Sequence, residues 1–329
     1  MAVIAKTTSF SSSTPSHLRP LDIQRDLLAV ADLIELCFAS TMDPDGEQYL
    51  LQMRRAAKDA TFLRWAPAAI DRVAMPLGGY IWEEDNRVVG NLSLIPLNKQ
   101  GRRVYFIANV AVHPDYRRRG IARALTEAAL NYIRSRHVSS AWLQVRTDNP
   151  NALDLYQSEG FIEHARRQTW QIHPGRQEER LEKSRLVSIT NRNWSDWEQQ
   201  KIWLQQNYPP EVAWYLPFNA NNLKPSLISD FIRFISGEAI HHWAARRNGR
   251  LLGTLSFEPT ATSTDNLWLA ALPSTDEEAI SSLLPVALHD LAPFRPLSLN
   301  YPAGRAEDAF ISVGFAIHQT LIWMEANLH

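Results

Sequence analysis

Apolar positions recur along the chain at two different intervals, and the places where the interval changes mark its elements. Across 21–39, Leu27, Leu28, Ala31, Ile34, Leu36 and Phe38 follow the three-to-four-residue interval of a half-buried helix. The stretch 42–79 is mixed, with a helix predicted around 47–57 and Pro67 and Pro76 acting as breaks. Segments 80–83 and 87–94 read as two strands joined at Asp85-Asn86, a hairpin. From Val104 to Val112 the chain is almost continuously apolar, the pattern of a central strand covered on both faces. Ile121, Leu125, Ala128, Ala129 and Tyr132 return to helical spacing. A strand at 141–145, a short helix at 151–158 and closing strands from Phe161 complete an α/β pattern.

The pattern then repeats. Arg87-Val-Val-Gly-Asn-Leu-Ser-Leu is echoed by Arg250-Leu-Leu-Gly-Thr-Leu-Ser-Phe, each reaching a proline two residues later, Pro96 and Pro259. The segment from Leu153 to His164 is echoed in the same order from Glu307 to His318. Two matches in one order at similar separations predict two tandem copies of one fold. Between them, 171–184 breaks the apolar pattern with His173-Pro174-Gly175 and a charged run. The predicted organisation is a disordered Ser/Thr-rich tail over 1–15, a first domain over 16–175, a linker over 176–184 and a second domain over 185–329.

Composition narrows the function classes. With 329 residues and a formal net charge of −1, the chain is long enough for two cores and too balanced to read as a nucleic-acid binder. Its single cysteine, Cys37, excludes an internal disulfide and fits a reducing, cytoplasmic setting; in its apolar context it reads as a core residue. No apolar run approaches the roughly 20 residues that span a bilayer, so no membrane association is expected. His241-His242 is a poor metal pair because neighbours on a strand face opposite ways, and no other metal spacing stands out.

The candidate chemistry lies where the apolar strand meets the next helix. A helix N-terminus offers unpaired N–H groups and a partial positive charge, which favour a bound anion. Here Arg117, Arg118 and Arg119 add cationic donors whose planar forks suit phosphate, and Gly120 and Ala122 keep the backbone approachable. Neither GxxxxGK[ST] nor GxGxxG is present at this junction, which disfavours a phosphate-loop nucleotide hydrolase. What is present is RxxGxA, Arg117 through Gly120 to Ala122, preceded by VxVxP at Val110, Val112 and Pro114.

At these residues the chain resembles the GCN5-related N-acetyltransferase (GNAT) superfamily, as does Asn149-Pro-Asn-Ala-Leu-Asp-Leu-Tyr156 followed by Gly160-Phe161. The resemblance covers roughly 16–175. It implies two tandem GNAT-type acyl-CoA N-acyltransferase domains, each a mixed central sheet flanked by helices. It implies acetyl-CoA as cosubstrate without a metal, its pyrophosphate held at Arg117, Arg118, Arg119, Gly120, Ile121 and Ala122. Its pantetheine arm would lie along Val110, Ala111 and Val112, near Asn149 and Asn151. Tyr156 matches the tyrosine that protonates the leaving thiolate, and a bulge in the Val110–Val112 strand is expected to admit the thioester. The acceptor the resemblance implies is a small-molecule amine or a peptide, with the protein expected to be a monomer or homodimer.

The general base stays open between Glu83, Glu84, Asp43, Asp45, Glu47 and a water relay; His113 reads as a turn residue, and Asn109 as an acceptor contact or a buried amide. Aligning Pro273 with Pro114 puts Asp276, Glu277, Glu278 and Ala279 where the first repeat has Arg117 to Gly120, and Phe310 stands opposite Tyr156. Carboxylates there repel a pyrophosphate, so the second repeat is expected to keep the fold without the cofactor site. The competing reading is a CoA-binding regulatory or interaction module without transferase activity.

Overall fold

The computed structural model describes residues 17–70, 75–175, 187–214, 216–225 and 240–328. The tail expected at 1–15 and the linker expected at 176–184 lie outside the described residues. The chain forms two compact units, which do not coincide with the halves of the repeat.

The first unit holds strands β1 (Leu18–Pro20), β2 (Gly78–Glu84), most of β3 (Arg87–Lys99) and most of β4 (Arg102–Val112), in that order across its sheet. It also holds helices α1 (Ile23–Phe38), α2 (Pro44–Ala56), α3 (Ala60–Ala69) and α4 (Ile121–Ser135). The predicted turn between β2 and β3 is confirmed: Asp85 and Asn86 take φ of 49° and 59°, the paired left-handed geometry of a tight hairpin. Leu27, Val30, Ala31 and Ile34 of α1 pack with Leu50 and Met53 of α2, Ala66 of α3 and Ile81 of β2. Helix α3 was not foreseen because Pro67 reads as a break. Asp59 caps it by accepting from the Thr61 and Phe62 amides at 2.8 and 3.1 Å. Proline has no N–H for the Leu63 carbonyl one turn back, and Gln24 Nε2 of α1 donates to that carbonyl instead at 3.0 Å.

The second unit contains β5 (Ser140–Arg146), α5 (Pro150–Ser158) and β6 (Ile162–Ile172), with the elements from β7 (Val187–Asn191) onward. These are β8 (His241–Arg247), β9 (Arg250–Glu258), β10 (Asp265–Ala271), β11 (Leu297–Pro302) and β12 (Ala316–Asn327), with helices at Trp197–Asn207, Asp276–Leu291 and Glu307–Ser312. The order of elements in the first repeat, hairpin, strand, helix, strand, helix, strand, therefore recurs. So do its details. The β8–β9 turn has Asn248 and Gly249 at φ 51° and 78°, and register shifts interrupt both hairpins at matching points, Trp82/Glu83 and Ala245/Arg246.

Within this unit the strands run β5-β12-β6-β11-β10-β9-β8-β7. The two repeats have exchanged their last strands. β12 lies antiparallel between β5 and β6, and β6 pairs with β11 from Leu297↔Ile172 to Pro302↔Arg167. Trp170, Leu255, Leu269, Leu283, Leu299, Phe310 and Phe315 make the main core, and Trp197, Trp203, Tyr208 and Trp268 a second.

Candidate active site

Strand β4 ends in a one-turn 3-10 helix, Pro114–Tyr116, which leads into α4. His113 shapes this entry as the turn residue expected of it: its Nδ1 accepts from the Asp115 amide at 3.3 Å, and its own amide donates to Val89 O at 2.9 Å. Arg118 and Gly120 both adopt left-handed φ, 65° and 79°. A Cβ built on Gly120 meets nothing within 4 Å, so the space before the helix is open and glycine is favoured there by backbone angle. As the N-cap residue, Gly120 has no side chain to bond the first amides of α4, which leaves that end with donors for an anion.

The predicted turn residues divide by role. Ile121 is 2 % exposed and packs beneath Gly90, so only its backbone can serve a ligand. Ala122 is half-buried and small, while Arg117, Arg118 and Arg119 are exposed. Two of these arginines also hold the turn itself. Arg117 Nε donates to Val112 O at 3.1 Å; Arg119 Nη2 donates to Asp115 O at 3.1 Å and its guanidinium lies 4.8 Å from the Tyr116 ring centre. Val110 and Val112 are half-buried and Ala111 buried on the strand that leads in.

Upstream in β4, Asn109 has φ 52°, a left-handed residue inside a strand. The resemblance implied a bulge at Val110–Val112, and this left-handed residue stands immediately before that stretch. Its side chain turns toward α2, where Nδ2 donates to the Tyr49 hydroxyl at 2.9 Å and to Ser93 Oγ at 3.3 Å. Its carbonyl accepts from Asn91 Nδ2 at 2.8 Å. Tyr49, Asn91 and Ser93 carry no sequence signal of their own.

In the second unit, Asn149 is the N-cap of α5 and accepts from the Ala152 amide at 3.2 Å, so its side chain serves the helix. Asn151 is exposed in the first turn. Tyr156 is buried, its ring edge-on to Phe161 with centres 5.8 Å apart. Burial pushes its phenol well above the ordinary tyrosine value, so it stays protonated at neutral pH.

Three of the carboxylates considered as bases have partners in the structure. Glu83 is gripped by Arg19 and Arg25, each at 2.6 Å, and the Arg19 guanidinium holds its carboxyl below the usual range. Glu84 accepts from Trp82 Nε1 at 3.0 Å, and Asp43 caps α2 through the Gly46 amide at 2.8 Å. No group of three or more His, Cys, Asp or Glu able to hold a metal occurs among the described residues, nor any helix long and apolar enough to cross a membrane.

The second repeat presents the same strand in a different state. β10 pairs with β11 over Asp265–Leu267, and the backbone beyond is engaged by the end of the Trp197–Asn207 helix. Asn207 Nδ2 donates to both Leu269 O and Ala271 O at 3.1 Å, and the Leu269 amide donates to the Tyr208 hydroxyl at 3.3 Å. Asn207 is itself held: its carbonyl accepts from Arg167 at 2.8 Å and its Oδ1 from Arg305 at 3.3 Å. Arg305 is ion-paired at 2.7 Å with the buried Asp276. Burial without a carboxylate partner lowers Arg167 to about 10. The helix there begins at Asp276, with no glycine and no left-handed residue at its start. Phe310 is fully buried and stacked on Trp170, with ring centres 4.7 Å apart.

Residues 41–161 match the family described as "Acetyltransferase (GNAT) family". Over 55 residues the chain is 47 % identical to the [ribosomal protein bS18]-alanine N-acetyltransferase of Escherichia coli, a match covering 17 % of this chain and 37 % of that one. Over 99 residues it is 36 % identical to the N-alpha-acetyltransferase RimI of Mycobacterium tuberculosis, covering 30 % of this chain and 61 % of that one. Each match thus spans less than two thirds of the relative's length. A GCN5-related N-acetyltransferase from Sphaerobacter thermophilus shares the fold over 96 % of this chain and 97 % of its own, with a TM-score of 0.57 at 13 % identity. The recurring element order and this shared fold give both repeats the GNAT-type fold, and the first repeat, through residues 41–161, is similar to the acetyltransferase (GNAT) family.

Proposed function

We propose that the protein transfers the acetyl group of acetyl-CoA to an amine, using the chemistry of its first repeat, and that the acceptor is the α-amino group of a peptide or protein. The observation that carries the reading is the contrast between the repeats. The first has an open turn with uncapped amides, three exposed arginines and a left-handed Asn109; the second fills the matching backbone with Asn207 and Tyr208. Acetyl-CoA fits the first because the space before Gly120 is free and the local charge is positive. In this reading the α4 amides and Arg117 to Arg119 take the pyrophosphate, and the β4 backbone from Val110 to Val112 takes the pantetheine arm.

The reaction needs a neutral amine, a polarised carbonyl and a protonated leaving group. The amine nitrogen bonds to the acetyl carbon as the carbon–sulfur bond breaks, and the amine loses one proton. Tyr156 suits the last requirement: raised by burial, it keeps its proton at the phenol oxygen until a thiolate forms. Glu83 is a poor base because two arginines depress it, which leaves the amine's proton to Glu84, Asp43, Asp45, Glu47 or a water relay. The α-amine acceptor is supported by the names of the two relatives, both N-acetyltransferases, one acting on an alanine of a ribosomal protein and one on N-alpha groups.

The test is thiol release from acetyl-CoA over a panel of peptides with free N-termini, lysine peptides with blocked N-termini, and small amines. Turnover confined to free N-termini supports the full reading. Turnover on lysine or small amines alone corrects the acceptor class, and CoA binding without turnover on any amine overturns the transferase reading in favour of a regulatory module.

A further inference from the structure

Asn91 sits on β3 with no exposed surface, two residues from Ser93, which is also buried. Its Nδ2 donates to the carbonyl of Asn109, the left-handed residue of β4, at 2.8 Å. Its Oδ1 is buried without a hydrogen-bond partner. An acceptor left this way keeps a desolvation cost, which the bond to the Asn109 carbonyl has to outweigh. The carboxamide cannot turn over to relieve that cost, because its oxygen would then face the oxygen of Asn109. Ser93 Oγ and Tyr49 OH meanwhile fix the Asn109 side chain, so side chain and carbonyl are both restrained.

A trans peptide places its C=O and the following N–H on opposite sides. With the Asn109 carbonyl held toward β3, the Val110 N–H is directed to the other edge of β4. We infer that Asn91 is a positioning residue for acetyl transfer: it locks the Asn109–Val110 peptide so that the Val110 N–H is preset as a donor to the acetyl oxygen. This rests on the acetyltransferase reading. A donor fixed before charge develops needs no reorganisation in the transition state, the condition under which such groups contribute most.

The experiment compares wild type, Asn91→Leu and Asn91→Asp. Both variants should lose about 10- to 100-fold in kcat, with the Kd of CoA within about threefold of wild type, because the bond acts on the developing oxyanion and not on the cofactor's phosphates. Asn91→Asp adds a readout that loss of packing would not produce. Its carboxylate cannot donate to Asn109, but its protonated form can, so activity relative to wild type should rise as pH falls from 8 to 6. With ¹³C-labelled acetyl-CoA, the red-shift of the bound carbonyl stretch should shrink in Asn91→Leu, and a crystal structure of that variant should show Asn109 released from positive φ. Wild-type kcat in both variants, or an unchanged φ at Asn109, overturns the inference while leaving the transferase reading intact. A wild-type protein that acetylates no amine overturns that reading and the inference with it.

Discussion

Replacing Asn207 with leucine tests whether the second repeat has closed its own cleft. Asn207 is fully buried, and its amide nitrogen serves two carbonyls of β10, Leu269 and Ala271. Leucine has the same branching and number of heavy atoms, with bulkier methyl groups, and offers no donor. Two buried acceptors then lose a partner at about 1–3 kcal/mol each, and the extra apolar burial offsets about 1–2 kcal/mol. The net loss centres on about 2–3 kcal/mol. Arg305 adds little to it because it keeps Asp276 at 2.7 Å. Whole-chain unfolding of two compact units need not be two-state, so the loss should be read locally, by hydrogen exchange at β10 amides with urea unfolding alongside. A change below about 0.5 kcal/mol at Leu269 would refute the claim that Asn207 holds this strand. Calorimetry completes the test: wild type should bind one CoA per chain, and a second equivalent would show that Asn207 and Tyr208 do not occupy the place of a ligand.

Three further outcomes follow from the first repeat. Tyr156→Phe should lower kcat about 10- to 100-fold with CoA affinity unchanged, and because burial raises the phenol, the wild-type kcat profile should show no loss from Tyr156 ionisation up to about pH 9; a fall near pH 8 that disappears in the variant contradicts this. Arg117→Ala should weaken CoA binding about 10- to 100-fold by calorimetry, and more at low salt than at high, since a charge contact to phosphate is screened. Glu83→Gln should destabilise the protein at pH 7, and the difference from wild type should shrink as the medium is acidified. The sign follows from a carboxyl depressed by Arg19: its contribution is present above the unfolded value of about 4.3 and is lost as pH falls through the lower folded value. Thermal melts from pH 7 into acid decide it, and a difference that does not shrink as pH falls refutes it.

What the sequence made legible was what neighbouring residues decide. Asp85-Asn86 and Asn248-Gly249 supply left-handed turns by their own chemistry, and the helical spacing from Ile121 marks α4 without tertiary help. The repeat was legible because its two halves can be compared in one line of text. The rest depended on partners distant in the chain. Nothing local in the closing strands shows that β12 enters between β5 and β6, since exchanged and unexchanged pairings present equally apolar faces. Pro67 lies within a helix because Gln24, 43 residues earlier, bonds the carbonyl it strands. The left-handed Asn109 is set by Asn91, Ser93 and Tyr49, none of which belongs to a motif.

In the proposed reading, the repeats differ in whether the strand is left to a cofactor, and the difference lies at the residue that ends the helix before it. In the first, Cys37 lies near the end of α1 and its Sγ donates to Val112 O at 3.3 Å, a weak bond from a small side chain. In the second, Asn207 ends the corresponding helix and bonds Ala271 O, the residue that aligns with Val112, while its amide also reaches Leu269. A thiol touches one carbonyl and stops; a carboxamide spans two and recruits Arg305 through its oxygen. In that reading, a strand bonded internally leaves an arginine-rich turn nothing to hold. Asp276 stands in that place, ion-paired with Arg305. The order of dependence is testable in Cys37→Asn. If a carboxamide at this position is what closes the strand, the variant should lose CoA affinity by tenfold or more while keeping wild-type thermal stability, and undiminished affinity would separate the closure of the second repeat from the residue at its helix end.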